Sequence, residues 1–228
     1  MPCCLTLGNG DLSEAVDVSI QGDSVVEGDE TFSLVLSGAE NATLSNEQPT
    51  LSVDGTIRDD DEAVVSITKT AEGSEPSTNG QFSVSMSNPA QVATTISYNV
   101  SGTATAESDY TSLSGEVVIA AGQTSQTLEV AVKDDDIAEN SETVVVTLTG
   151  VSGLVELDGT PANRTATLNI ADNEADPTIS INDVSVTEGD SGTKEAEFAV
   201  TLSHKSEKGI TVQYWTSNGT AITPGDYQ

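Results

Sequence analysis

Short runs of alternating apolar and polar residues make up most of the middle of the chain. A period of two places one set of side chains on a buried face and the other in solvent, which is typical of half-buried β-strands. The clearest alternating apolar sets are Phe82, Val84 and Met86; Ile96, Tyr98 and Val100; and Leu128, Val130 and Val132. Bounded by Gly, Asn, Pro and Ser, such runs predict strands over residues 64–70, 81–87, 94–100, 116–120, 124–132, 143–149 and 164–171.

No segment has convincing helical periodicity, so an all-β fold is predicted. Seven strands in about 110 residues, separated by turn residues, indicate an antiparallel β-sandwich of immunoglobulin-like architecture. Aromatic residues make up only 4% of the chain. The core is therefore expected to consist mainly of Val, Leu, Ile and Ala side chains.

Internal repeats divide the chain into units. Residues 20–38 match residues 132–150 at a constant offset, and residues 65–110 match residues 179–227. We therefore predict a tail (1–15), the back half of one unit (16–62), a complete unit (63–174) and the front half of a further unit that stops in mid-unit (175–228). These are called below the first segment (16–62), the central unit (63–174) and the last segment (175–228).

The charge balance excludes several classes of partner. Seven Lys and Arg stand against 37 Asp and Glu, for a formal net charge of -30. A nucleic-acid binder needs a basic face, and attraction to an anionic membrane needs basic clusters, so neither partner is expected. There is no apolar run of membrane-spanning length, and residues 1–10 lack the pattern of a secretory signal peptide. The only cysteines, Cys3 and Cys4, are adjacent, which excludes a disulfide-stapled fold.

Acidic residues follow every second predicted strand of the central unit. Alternate strands of an antiparallel sandwich end at the same pole, so these residues are expected to meet there. The loops at the opposite pole, 87–91, 120–123 and 150–154, contain no acid. The candidate ligands of the central unit are Glu72, Asp109, Asp134, Asp135, Glu139, Glu142, Asp172, Asn173 and Glu174.

Crowded carboxylates repel one another unless a cation neutralises them. Ca²⁺ takes six to eight oxygen ligands at flexible geometry, whereas Mg²⁺ demands strict octahedral geometry and keeps its waters. Zn²⁺ is not expected, because the candidate residues include no His or Cys side chain to bind it. Nine oxygen-bearing side chains exceed the needs of one ion, so we expect Ca²⁺ as the cofactor, with two or more ions. The alternative is that these charge runs are merely solvated loops.

Several motifs resemble the Calx-beta domain family. They are T-E-G-D-S-G-T (187–193), G-T-A-x(4)-D-Y (219–227) and V-K-D-D-D-I-x-E-x-x-E-T (132–143). Calx-beta domains occur in the regulatory domains of sodium/calcium exchangers and in large bacterial surface and adhesion proteins. The resemblance implies a seven-stranded immunoglobulin-like sandwich with calcium at the distal loops. Carried over position by position, it implies the same nine ligands.

The flanking segments carry only parts of such a site. The first segment supplies Asp23, Glu27, Glu30, Asp59, Asp60 and Asp61, and the last segment supplies Glu188 and Asp226. Neither set is expected to be complete alone. In the central unit the terminal stretch is Asp172-Asn173-Glu174, which has one charge fewer than Asp59-Asp60-Asp61. A lower calcium affinity is therefore expected.

The sequence thus predicts a calcium-binding structural module of a large extracellular surface or adhesion protein. Its expected partners are calcium ions, the neighbouring repeats and a cell-surface or matrix ligand. Catalysis is not expected, because the single histidine, His204, lies outside the central unit and the acids have no aromatic platform nearby. Two alternatives remain: a calcium-independent spacer or ligand-binding module, and a calcium-sensing regulatory segment of a membrane transporter.

Overall fold

The computed structural model describes residues 4–45 and 48–228, so Cys3 and the first residues of the predicted tail lie outside it. The described residues form thirteen strands and one 3-10 turn, Pro161–Arg164. The strands are β1 (Glu30–Ser37), β2 (Thr50–Ile57), β3 (Val64–Ala71), β4 (Gly73–Ser74), β5 (Gly80–Met86), β6 (Thr94–Gly102), β7 (Glu116–Ile119), β8 (Ser125–Val130), β9 (Glu142–Val151), β10 (Glu156–Leu157), β11 (Thr165–Ala171), β12 (Ile179–Ile181) and β13 (Val200–Leu202).

The central unit is a β-sandwich of two sheets. One sheet has the strand order β10-β3-β5-β8, and the other has the order β4-β11-β9-β6-β7. All seven predicted strands are present, as β3, β5, β6, β7, β8, β9 and β11. The predicted all-β sandwich is confirmed.

Side chains from both sheets fill one core. Phe82 and Val84 from one sheet and Ile96, Val146 and Leu168 from the other are completely buried. Their alternation with more exposed residues is the period of two seen in the sequence; β5, for example, alternates buried and half-buried positions along its whole length. Burial of these apolar side chains is the main stabilising term of the sandwich.

Two short strands form parallel pairs, whereas the sequence predicts a sandwich with antiparallel strands. Strand β4 runs parallel to β11, and β10 runs parallel to β3. Because β3 belongs to one sheet and β4 to the other, the chain crosses between the sheets at Glu72. This crossing decides which acidic side chain of the segment faces the pole.

The flanking segments repeat parts of this architecture as antiparallel hairpins. The pair β1 and β2 corresponds in the repeat to β9 and β11, and the pair β12 and β13 corresponds to β3 and β5. Several of their apolar side chains are half exposed, including Val35, Val53, Ile181 and Val200. Among the described residues, no helix is long and apolar enough to span a membrane.

Candidate metal centre

Carboxylates that follow β4, β6, β8 and β11 converge on one pole of the central unit in two groups. The Asp109 group consists of Asp109, Glu139 and Glu142, and the Glu75 group consists of Glu75, Asp172 and Glu174. Within each group, one oxygen of every carboxylate lies within 4.8 Å of the others. Together the two groups are called the acidic pole.

The loop after β6 holds Asp109 firmly in its group. Gly102, with a φ of +130°, ends β6 against the backbone of Thr143, where a side chain would collide with the Thr143 carbonyl. Asp109 then lies 6% exposed, and its Oδ2 accepts a hydrogen bond of 2.5 Å from the Thr105 amide. The backbone therefore fixes one buried carboxylate before any cation binds.

The Glu75 group contains buried oxygens without hydrogen-bond partners. Glu75 is 7% exposed, and its Oε2, together with Asp172 Oδ1 and Glu174 Oε2, has no partner. A buried polar oxygen that loses water without gaining a partner is unfavourable by about 1–3 kcal/mol. Three such oxygens in one place are acceptors that a cation would satisfy.

The two groups are physically linked. Asp172, from the Glu75 group, accepts at Oδ2 a hydrogen bond of 3.0 Å from the backbone amide of Glu139, in the Asp109 group. The end of β11 is thereby tied to the loop after β8. A charge or ion in one group is therefore felt in the other.

Burial and mutual repulsion raise the pKa values of several of these carboxyls. Burial, then the hydrogen bond and charge of Asp109, raise the pKa of Glu142 to about 8. Burial followed by the charge of Asp109 raises the pKa of Glu139 to about 7. Burial followed by the contact with Glu174 raises the pKa of Glu75 to about 7. These three carboxyls resist ionisation because no basic side chain among the described residues offsets the rise in their pKa values.

The remaining predicted residues of the loop after β8 line the edge of the acidic pole. Asp135 Oδ1 accepts from the Ile137 amide at 2.7 Å, and Asp134 Oδ1 accepts from Asn173 Nδ2 at 3.1 Å. The charge of Asp135 contributes to the raised pKa values of both Glu75 and Glu139. Asp134 and Asn173 are solvent-exposed, whereas Asp135 is half-buried.

Glu72 is the predicted ligand that the structure places away from both groups. It accepts a hydrogen bond of 2.5 Å from the Asn169 amide and forms an ion pair with Lys69. The hydrogen bond from Asn169, followed by that from Lys69, lowers its pKa. Glu75, three residues later, occupies the pole instead, and the sequence analysis did not select it.

The first segment repeats part of this geometry. Asp23 accepts from the Val25 amide at 2.8 Å, and Asp59 Oδ2 accepts from the Glu27 amide at 3.1 Å, matching Asp135 and Asp172 of the central unit. The other predicted partial-site residues of this segment are Glu30 at the start of β1, exposed Asp60 and half-buried Asp61.

The last segment shows less of a site. Asp226 Oδ2 accepts from the Ile222 amide at 2.9 Å, in the way that Asp109 accepts from Thr105. Glu188 is exposed. The described residues bring no group of three acids together in either flanking segment.

Comparison with known proteins agrees with the motifs. The model of the Calx-beta domain matches residues 2–61, 58–174 and 175–228, and the chain belongs to the Calx-beta domain family. The family predicted from the motifs is confirmed. A search of curated proteins gives no match.

Several solved structures are similar to the chain at low sequence identity and low TM-score. The apo form of the Calx CBD1 domain is 22% identical, with a TM-score of 0.38, over 48% of this chain and 99% of that one. The calcium binding domain CBD12 of CALX1.1 is 22% identical, with a TM-score of 0.38, over 46% of this chain and 44% of that one. A two-domain protein of unknown function from Bacteroides fragilis is 11% identical, with a TM-score of 0.33, over 53% of this chain and 54% of that one.

Proposed function

We propose that the acidic pole of the central unit binds Ca²⁺. The observation that carries this proposal is the convergence of six carboxylates in two groups, with three buried oxygens that have no partner. All six are hard oxygen donors, five of them on loops and the sixth, Glu142, at the first residue of β9. Such a donor set suits Ca²⁺, which accepts carboxylates at flexible geometry, better than Mg²⁺.

Each residue has a distinct part in this proposal. Asp109, Glu139 and Glu142 would hold one ion, and Glu75, Asp172 and Glu174 would hold another. Asp134, Asp135 and Asn173 lie at the rim, where they would supply outer ligands or orient the first ones. The bound ions would neutralise the pole and lower the pKa values that burial and repulsion now raise.

The consequence for the molecule is mechanical. Residues 172–176 lead from β11 into the last segment, and two ligands of the Glu75 group lie in this linker. Calcium in the Glu75 group would tie the linker to the segment after β4, and the hydrogen bond from the Glu139 amide to Asp172 would pass this restraint to the loop after β8, so that the connection between successive units would stiffen. In this role the chain is a structural module, and its partners are calcium and the neighbouring repeats.

We also propose that the module works outside the cell, in a surface or adhesion protein. Support comes from the partly exposed ligands and the neutral Asn173, which favour the weak binding class of extracellular modules, with dissociation constants of about 10⁻⁴–10⁻³ M. An intracellular calcium sensor would bind with dissociation constants of about 10⁻⁷–10⁻⁵ M. A ligand on a cell surface or in a matrix would then be held by faces other than the acidic pole.

Isothermal titration calorimetry of the full chain tests the proposal. Ca²⁺ should bind to sites that Mg²⁺ at the same concentration fills only poorly. Asp109→Asn removes a buried ligand charge and should weaken binding, whereas Asp158→Asn, a charge change at the opposite pole, should leave it unchanged. Absence of calcium binding, or equal binding of both cations, contradicts the proposal. A dissociation constant in the micromolar range would instead favour the sensor role.

A further inference from the structure

The last segment exposes a sheet face that its equivalent in the central unit buries. This last face lies on one side of the hairpin of β12 and β13 and its continuation, and it consists of Ile179, Ile181, Phe198, Val200 and Leu202, each at least 41% exposed. In the sequence repeat these positions correspond to Val65, Ile67, Phe82, Val84 and Met86, all of which are buried in the sandwich core. The exposure therefore comes from a missing cover and not from polar composition.

The first segment exposes the opposite half of such a core. This first face lies on one side of the hairpin of β1 and β2, and it consists of Phe32, Leu34, Leu36, Leu51 and Val53. Val53 is 58% exposed, and Leu34 opposite it is half-buried. The repeat aligns the three β1 residues with Val144, Val146 and Leu148, which are buried in the central unit.

The central unit shows what covers each of these faces. Its β3 and β5 belong to one sheet and its β9 and β11 to the other, and the apolar sides of the two sheets form a single core. The last face is equivalent to the β3 and β5 side of that core, and the first face to the β9 and β11 side. Each flanking segment therefore lacks the half that the other one carries.

Two strand pairs are divided between the segments in the same way. In the central unit β8 pairs with β5, and β6 pairs with β9. Residues 13–18 correspond to β8 and residues 210–218 to β6, yet neither run forms a strand, although both lie in the described part of the chain. The equivalents of their partners are β13 and β1, each in the other segment. Tyr214 is accordingly 94% exposed, whereas its equivalent on β6, Tyr98, is 4% exposed.

A loop contact holds the first segment on the central unit and leaves the first face open. Val26 pairs with Ala90 in a short parallel bridge. The Val26 amide donates to the Pro89 carbonyl at 2.9 Å, and its carbonyl accepts from the Gln91 amide at 3.0 Å. These residues precede β1 and follow β5, so the contact involves loops and not the sides of the hairpin.

An equivalent contact holds the last segment and leaves the last face open. Ala138 pairs in parallel with Ser206. The Ala138 amide donates to the Lys205 carbonyl at 3.1 Å, and its carbonyl accepts from the Glu207 amide at 3.1 Å. Both faces are therefore presented to the outside by segments that are anchored on the central unit.

We propose that the first segment of one molecule and the last segment of a second copy combine into one complete sandwich, and that molecules of the 228-residue chain thereby join head to tail. The two faces form the core of this composite unit. Residues 13–18 add to the edge of β13, and residues 210–218 add to the edge of β1. In such strand addition, main-chain hydrogen bonds give affinity and alternate side chains give specificity. A head-to-tail contact is heterologous, so it closes into rings or continues as open chains.

The charge of the chain sets the conditions for a test. Assembly would bring Asp226 to Glu27 and Glu30, which are the equivalents of the Asp109 group. Measurements are therefore made both with calcium and with chelator, in about 0.15 M salt, which screens charges beyond about 8 Å. The inference does not rest on calcium binding by the central unit, because the apolar faces and the strand pairs carry it.

Light scattering of the full chain over a concentration series measures the assembly. The weight-average mass should rise with concentration to at least about twice that of one chain. Leu34→Asp on the first face and Phe198→Asp on the last face should each leave monomers. Val118→Asp, at an exposed valine on β7 of the central unit, is the matched control and should assemble as wild type. A wild-type chain that stays monomeric in both conditions overturns the inference.

Mixing the two variants separates loss of pairing from loss of folding. Phe198→Asp keeps an intact first face, and Leu34→Asp keeps an intact last face. An equimolar mixture should therefore form dimers with one chain of each kind, and no larger species, because the remaining faces cannot pair. If the wild type assembles but the mixture contains only monomers, the two faces are not partners and the inference falls.

Hydrogen exchange identifies the strands that pair. The amides of residues 13–18 and 210–218 should exchange at least about tenfold more slowly in the assembled wild type than in either monomeric variant, because they join a ladder only on assembly. Assembly without this protection would mean that other surfaces associate, and protection in a monomer would mean that the segments pair within one molecule. Either result would overturn the inference.

Discussion

The two poles of the central unit differ in loop length and in charge, since the connections after β6 and β8 run over residues 103–115 and 131–141, whereas those after β5 and β7 run over 87–93 and 120–124. At one pole, the segments after β4, β6, β8 and β11 bring together two groups of carboxylates, several with raised pKa values. At the other pole, loops 87–91, 120–123 and 150–154 contain no acid. Charge has therefore been concentrated at one end of a sandwich whose core does not require it.

The difference has a consequence for how units connect. In both backbone contacts between segments, the acidic loop of one segment docks on a loop of the next that carries no net negative charge: residues 87–91 contain no acid, and residues 203–208 contain Glu207 beside Lys205 and Lys208. Two acidic poles facing each other would repel, whereas an acidic pole on a neutral one does not. The asymmetry of one unit thus gives the chain a direction, and it places cation binding at the connection.

The largest effect is expected from Glu142→Gln, which removes charge from the most crowded carboxyl of the acidic pole. Calcium affinity should fall about 100-fold, since even residues that only support metal ligands typically change affinity 10–100-fold. In chelator at about pH 8.5, where most Glu142 side chains are ionised, the variant should melt at a higher temperature than wild type, because repulsion with Asp109 and Glu139 is relieved. Calorimetry and thermal melts measure the two effects. A variant that keeps wild-type affinity contradicts the assignment.

A comparison of Glu75→Gln with Glu72→Gln separates the buried residue of the pole from its exposed neighbour. Glu75→Gln should weaken calcium binding about tenfold or more, because one ligand charge is lost. Glu72→Gln should leave calcium affinity unchanged and reduce stability by less than about 1 kcal/mol, as expected for loss of an exposed ion pair with Lys69. The reverse order of affinities would restore Glu72 as the ligand.

The acidic pole should also make the calcium-free chain sensitive to pH. Carboxyls with pKa values near 7 to 8 in the folded state, against 4.5 ordinarily, bind protons more tightly when folded. Their protonation favours the fold at low pH, and this stability is lost as the pH rises through 7 to 8. In chelator, the melting temperature should fall by several degrees between about pH 5.5 and about pH 8.5.

Calcium should reverse that pH dependence, because protons compete with the ion for the same oxygens. The stabilisation by calcium should therefore be larger at the higher pH. A melting temperature that rises with pH in chelator would show that the carboxylates are not mutually repelling.

The smallest effect is expected from Asp158→Asn at the opposite pole. Asp158 accepts from the Thr160 amide at 2.7 Å and from Asn163 Nδ2 at 2.9 Å, and the Thr160 contact lowers its pKa. The variant should lose only a little stability at neutral pH, because both hydrogen bonds are exposed. Its calcium titration should match that of wild type. A change in calcium affinity would mean that the poles are not electrostatically separate.

The strands, and the pole at which the acidic residues meet, could be predicted from the sequence. Burial on one face of a strand imposes a period of two, and alternate strands of the sandwich end together. Of the nine predicted residues, Asp109, Glu139 and Glu142 meet in one group and Asp172 and Glu174 in the other. The sequence repeat also predicts that β1 is equivalent to β9 and that β12 is equivalent to β3.

Glu75 could not be found in this way because its placement depends on a two-residue strand. Strand β4 is too short to show alternation, and it pairs in parallel with β11 in the other sheet. The crossing turns Glu72 towards Lys69 and Asn169 and brings Glu75 into the pole. The contacts between segments could not be predicted either, because they depend on backbone pairing between residues far apart in the sequence. The repeat shows only that Glu207 and Gln91 occupy equivalent positions.

The central claim is that cations bind at the acidic pole and stabilise the fold, and thermal unfolding of the full chain followed by circular dichroism tests it most directly. Calcium at about 100 times its dissociation constant should stabilise the folded state by about 2.7 kcal/mol. For units of this size, that corresponds to a rise in melting temperature of roughly 10 °C, reversed by chelator. An identical melting temperature at that calcium concentration and in chelator would contradict the account.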